Sequence, residues 1–138
     1  NFNVQRRSIE LLPDAHCQLF LLDSLGELLK FLPGANAVFV GGSIQNIGGH
    51  NVLEPTSLGL PIIVGPHTQH FADIIEKLIQ VDGLIQVQDA IQLQESLFSL
   101  LRNPDRANAM GNNALNCVAQ NRGALQKTKA LIEQRLCV

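Results

Sequence analysis

The chain has 138 residues, one domain's worth, and with 46% of them hydrophobic and 16% charged the composition argues for a folded globule and against a disordered chain. Its 10 basic and 12 acidic residues leave a net charge of −2, without the basic excess that marks a nucleic-acid binder. No stretch reaches the roughly 18 apolar residues of a membrane span; the nearest, 19–32, is broken by Asp23, Glu27 and Lys30.

In chain order, short apolar runs predict strands at 2–6, 18–22, 37–40, 61–64 and 84–87. Helical periodicity covers 25–31, 53–58, 71–80, 90–101, 106–121 and 124–136. Phe20-Leu21-Leu22 and Ile62-Ile63-Val64 are apolar at successive positions, which suits strands buried on both faces. The alternation predicts an α/β fold: a Rossmann-like parallel sheet of about five strands flanked by helices, with a helical C-terminal tail. Asp23 or Ser24 is expected to cap the first helix, and Pro33-Gly34 to end it. Asn103-Pro104-Asp105 separates two later helices, and Gly123 marks a further break. Cys17, Cys117 and Cys137 lack metal-site spacing and read as reduced thiols of a reducing cytosol. A strand at the very start, with Asn1 in place of an initiating Met, predicts that 1–138 is one domain of a longer enzyme.

The stretch Gly41-Gly42-Ser43-Ile44-Gln45-Asn46-Ile47-Gly48-Gly49-His50-Asn51 carries the most chemistry. It follows the apolar run Ala37-Val38-Phe39-Val40 and leads into Leu53-Glu54-Pro55-Thr56, a helix start. Strand, glycine-rich loop and helix N-terminus in that order predict an anion site. The spacing fits neither the P-loop nor the dinucleotide fingerprint.

Gly41-Gly42-Ser43, then Gly48-Gly49-His50-Asn51-Val52-Leu53-Glu54-Pro55, then Pro61 to Thr68 and Phe71, resemble the C-terminal domain of the bacterial Kdo transferases. Asp23-Ser24-Leu25-Gly26-Glu27-Leu28 resembles the family's upstream segment, and Asn121-Arg122-Gly123-Ala124-Leu125 its terminal one. The resemblance implies half of a two-domain, GT-B type glycosyltransferase that moves 3-deoxy-D-manno-octulosonic acid (Kdo) from CMP-Kdo to a lipid A precursor in lipopolysaccharide biosynthesis. It implies that this domain binds the CMP-Kdo donor, while an N-terminal domain holds the acceptor and the catalytic base of an inverting displacement. No residue here would be catalytic, no metal or cofactor is implied, and the domain alone would be soluble and inactive. The full enzyme would work at the cytoplasmic face of the inner membrane. A UDP-sugar transferase and a non-catalytic nucleotide-sugar-binding module are the alternatives.

The expected donor contacts are Gly26, Glu27, Gly42, Ser43, Gly48, Gly49, His50, Asn51, Glu54, Gly65 and His67, converging beyond the C-terminal ends of the strands. Gly48-Gly49-His50-Asn51 would cradle the phosphate, with a hydroxyl from Ser43. His50 either donates to the phosphate or bonds only to backbone. Glu54 has two local readings, a capping box with Asn51 or a cap on a helix that starts at Pro55. The resemblance adds a third, a carboxylate accepting from both ribose hydroxyls. Backbone groups near Gly26 would meet the cytosine, against plain helix capping by Asp23 or Ser24. Gly65 and His67 would close over the sugar; His67 and His70, at i and i+3, lack a third metal ligand nearby. Arg6 and Arg7 either neutralise the donor or are solvated, and Arg122 reads as structural.

Overall fold

The computed structural model describes residues 2–9 and 12–121. The expected helix at 124–136, Arg122, the Gly123-Ala124-Leu125 segment and Cys137 lie outside the described residues. The strand-like runs form five parallel-paired strands: β1 (Val4–Arg6), β2 (Leu19–Leu21), β3 (Val38–Val40), β4 (Ile62–Val64) and β5 (Leu84–Gln86). The helices are α1 (Leu28–Phe31), α2 (Leu53–Ser57), α3 (Ala72–Gln80), α4 (Ala90–Arg102) and α5 (Pro104–Asn121). The chain divides into two units, Asn1–Gly34 and Ala35–Val138. The parallel α/β architecture is the expected one, but the strands bond as a pair, β1-β2, and a triplet, β3-β4-β5, rather than as one five-stranded ladder.

The first unit departs from its sequence pattern in two ways. Leu19 and Leu21 are 49% and 43% exposed, flanking a half-buried Phe20, so β2 is not covered on both faces. Among the described residues of this unit only α1 and the following turn can cover a two-stranded ladder, and Phe20 meets Phe31 there at 5.6 Å between ring centroids. The first helix also starts late. Gly26 takes a left-handed φ of 77°, which interrupts the helix, and the Asp23 carboxylate is spent on the Ser8 amide and hydroxyl (2.9 and 2.7 Å). Neither Asp23 nor Ser24 therefore caps α1, whose first-turn cap position falls on Glu27.

In the second unit the apolar run Ile62-Ile63-Val64 behaves as expected: β4 is central, and all three residues are fully buried. Strand alternation sends Ile62 and Val64 into one cluster with Val40, Val52, Ile75, Leu78 and Ala114. Ile63 joins the other, with Val87, Leu100, Ala107 and Met110. Helix α5 serves both clusters, Ala107 and Met110 packing in the second and Ala114 in the first. Its close docking needs Gly111, where a Cβ would overlap the Gly59 carbonyl. Helix α5 begins at Pro104, two residues before its sequence pattern, because proline suits the first helical position and the Asn103 side chain accepts from the Arg106 amide (3.1 Å).

Burial separates adjacent leucines of α4. Leu100 is 1% exposed and Leu101 55%. Leu100→Ala is expected to cost about 2–5 kcal/mol in denaturant unfolding, and Leu101→Ala within roughly 0.5 kcal/mol. Equal losses at both positions would contradict the described packing.

Candidate functional site

The chain leaves β3 at Val40 and turns through Gly41 and Gly42 into a loop that closes on itself. The Gly49 amide donates to the Gly42 carbonyl (2.9 Å) and the His50 amide to the Gly41 carbonyl (3.2 Å). The loop after β4 lies beside it. Ser43 joins them: its hydroxyl donates to the Val40 carbonyl (2.5 Å) and accepts from the Gly65 amide (2.8 Å). The Ser43 carbonyl accepts from the His67 amide (2.9 Å). The two chains run so close that a Cβ on Gly65 would collide with the backbone at Ser43, which is why that position carries glycine. Further along, the His70 amide donates to the Gly48 carbonyl (3.3 Å) and the Gln69 amide group to Asn46 Oδ1 (2.7 Å). Gln86, at the end of β5, donates to the Gly65 carbonyl (3.2 Å). Loops at the C-terminal ends of two neighbouring parallel strands are thus tied into one surface, where open α/β sheets bind ligands.

On that surface His50 is exposed and its ring packs over Gly42, 3.2 Å from where a Cβ would stand. His67 is half-buried. His70 lies with its ring over Gly48, which at φ 98° has both a left-handed conformation and no room for a side chain. Ser43 departs from expectation: its hydroxyl is fully buried and its one proton goes to Val40, so it offers nothing to a ligand in this arrangement.

Both local cap readings of Glu54 fail. Helix α2 begins at Leu53, with Val52 at the cap position and no side-chain cap bond. Asn51 Oδ1 instead accepts from the Leu53 amide (3.0 Å), and its Nδ2 donates to Glu54 Oε1 (3.3 Å). Glu54 sits inside the first turn, half-buried, with Asn51 as the partner recorded for its carboxylate. With five residues, α2 aligns few peptide dipoles, so its N-terminus offers an anion little of the field that a longer helix would.

Gly26 and Glu27 belong to the first unit. There the Glu27 carboxylate is held by the Ser24 hydroxyl (2.6 Å), by Arg7 Nη2 (3.0 Å) and by Lys30 (3.3 Å). Arg7 Nε also lies 3.0 Å from Oε2, an ion-pair contact without hydrogen-bond alignment. The Ser24 hydroxyl, then the Arg7 guanidinium, hold the Glu27 carboxyl down at about 2. Glu27 is accordingly the hub of a local ion cluster, and Arg7 is tied to it rather than solvated. Asp23 is lowered too, by the Ser8 hydroxyl and amide.

Among the described residues no group of three or more His, Cys, Asp or Glu could hold a metal, and no helix is long and apolar enough to cross a membrane. A groove of about 320 Å³ runs along α4 beside Leu93, Leu97 and Phe98, but its almost wholly apolar lining offers no convergent donors for a phosphate. Asn46, Gln69 and Gln86, which tie the loops, were not singled out in the sequence: ordinary polar residues far apart carry no spacing signal.

Residues 1–116 match the glycosyl transferases group 1 family, and the chain belongs to it. The 3-deoxy-D-manno-octulosonic acid transferase of Haemophilus influenzae is 37% identical over 98% of this chain and 32% of its own length. The Bordetella pertussis enzyme of the same name is 34% identical over 90% of this chain and 29% of its own. The chain thus spans about a third of the length of the curated relatives it matches. The crystal structure of the C-terminal CMP-Kdo binding domain of WaaA from Acinetobacter baumannii superposes with a TM-score of 0.80 at 32% identity, covering 85% of this chain and 61% of that one.

The Glu27 cluster has a pH signature. Its folded value of about 2 lies below the ordinary 4.5, so its stabilisation is complete above pH 4.5 and is lost as pH falls toward 2. Carboxyl NMR should place the Glu27 midpoint well below that of an exposed glutamate, and Glu27→Gln should flatten the acid limb of the unfolding curve between those values. An ordinary midpoint would show the Ser24–Arg7 contacts to be absent in solution.

Proposed function

We propose that this chain is the donor-binding domain of a Kdo transferase and holds CMP-Kdo on the surface formed by the loops after β3 and β4. The observation that carries the reading is the glycine-rich loop after β3 tied to the 65–68 loop at the C-terminal ends of parallel strands. It is supported by the likeness to a CMP-Kdo binding domain over most of this chain.

The chemistry follows from the groups present. In the transfer an acceptor hydroxyl attacks the anomeric carbon of Kdo, the bond from that carbon to the phosphate oxygen breaks, and CMP leaves with the electron pair. Charge accumulates on the phosphate, so donors fixed before the reaction stabilise it most. The Gly49 and His50 amides are taken by the Gly42 and Gly41 carbonyls, which leaves the Gly48 amide and the exposed imidazole of His50 as the candidates for that task. Glu54, which caps nothing, has an acceptor-only carboxylate suited to the two ribose hydroxyls. His67, whose amide is fixed by Ser43, would face the sugar half. The lipid A precursor, the base that takes its proton and the approach to the cytoplasmic face of the inner membrane would fall to the rest of the enzyme.

Glu54→Gln is expected to weaken CMP binding by about 1.5–3 kcal/mol, roughly ten- to a hundred-fold, since a charged acceptor of two hydroxyls is lost. Stability should change by no more than about 0.5 kcal/mol, because the side chain caps no amide. Calorimetric titration and thermal unfolding of the variant separate these quantities, and 2′-deoxy-CMP should bind the unaltered chain more weakly than CMP. Equal affinity of Glu54→Gln and the unaltered chain would remove the ribose assignment.

A further inference from the structure

We propose that Ser43 is a positioning residue for ligand binding, locking the glycine-rich loop to the 65–68 loop so that His50 and His67 are presented as one fixed set. The proposal rests on the nucleotide reading above and deepens it. Ser43 touches no ligand itself: it is fully buried, and its hydroxyl is used in both directions, donating to Val40 and accepting from Gly65. Its carbonyl carries the third tie, from the His67 amide.

Position distinguishes this hydroxyl from the other fully buried one. Thr56 Oγ1 bonds to Val52, the residue just before its own helix, and so serves local structure (2.6 Å). Ser43 bonds across 22 positions of sequence and joins two separate strand ends. The missing side chain of Gly65 fits the same design, since any Cβ would push the loops apart at Ser43. Without the hydroxyl, the Gly65 amide and the Val40 carbonyl would stay buried and unpaired, a costly state that is relieved when the loops separate and admit water. Loops freed in this way must be reordered when a ligand binds, and that ordering is subtracted from affinity. The loss therefore appears in binding as well as in stability.

The test titrates CMP into the full 138-residue chain and follows amide hydrogen exchange by NMR. Ser43→Ala is expected to speed exchange at Gly65 and His67 while Ile63 stays protected. It should also weaken CMP on the order of tenfold, the size of one buried hydrogen bond. Leu100→Ala is the control: it is destabilised through the cluster around Ile63 and Met110, outside the tied loops, yet should bind CMP within about twofold of the unaltered chain. Ser43→Cys keeps a weaker donor and acceptor at similar volume and should fall between Ala and Ser; it also serves if Ser43→Ala does not fold. Ser43→Ala binding CMP as tightly as the unaltered chain, or losing no more than Leu100→Ala, would overturn the positioning role. An unaltered chain that binds no CMP would overturn the nucleotide reading itself, and the positioning role with it.

Discussion

The contact between Ser43 and Gly65 is the constraint from which the rest of the candidate site follows. Two main chains leave neighbouring strands and run against each other with no side chain between them, and a buried hydroxyl satisfies the polar groups this encloses. A buried amide and carbonyl without partners would each cost on the order of 1–3 kcal/mol. Serine at this position is therefore tied to glycine at the other: a side chain at 65 would have nowhere to go, and a residue without a hydroxyl at 43 would leave the seam unpaired. The ties that follow, from His67, His70 and Gln69, hold once the two loops lie in this register.

Beneath the seam, the core makes the strand ends rigid. Strand β4 is buried on both faces, so its exit toward Gly65 is fixed by two hydrophobic clusters at once. Helix α5 packs into both and couples them. Rigid strands that carry polar loops at their C-terminal ends are a recurrent way to present donors to a ligand. Helix α2 spans only about one and a half turns, so its end contributes little dipole to this surface.

The sequence was most legible where burial is set by local pattern. Ile62-Ile63-Val64 reads as a strand covered on both sides and is one, because neighbouring strands and helices cover it. Phe20-Leu21-Leu22 has the same pattern, yet Leu21 is exposed, because covering a strand is a property of neighbours that the run itself does not specify. The glycine loop was legible from its composition and from its place after an apolar run. The role of Ser43 was not, since a serine in a polar loop is as readily exposed as buried, and its partner Gly65 is 22 residues away. Glu54 was misread locally because its spacing from Asn51 matches a capping box, while the actual cap position falls on Val52. Glu27 sits in a segment that resembles a binding motif, and only the fold brings Arg7 to its carboxylate across 20 residues.

The central claim is that the tied loops after β3 and β4 hold a cytidine nucleotide, and NMR shift mapping tests it most directly. The 138-residue chain would be titrated in parallel with CMP, UMP, UDP and GDP. The expected result is tightest binding of CMP, with shifts concentrated at the amides of 41–54 and 65–68. Tighter binding of UDP or GDP, or shifts centred on the apolar groove of α4, would contradict it.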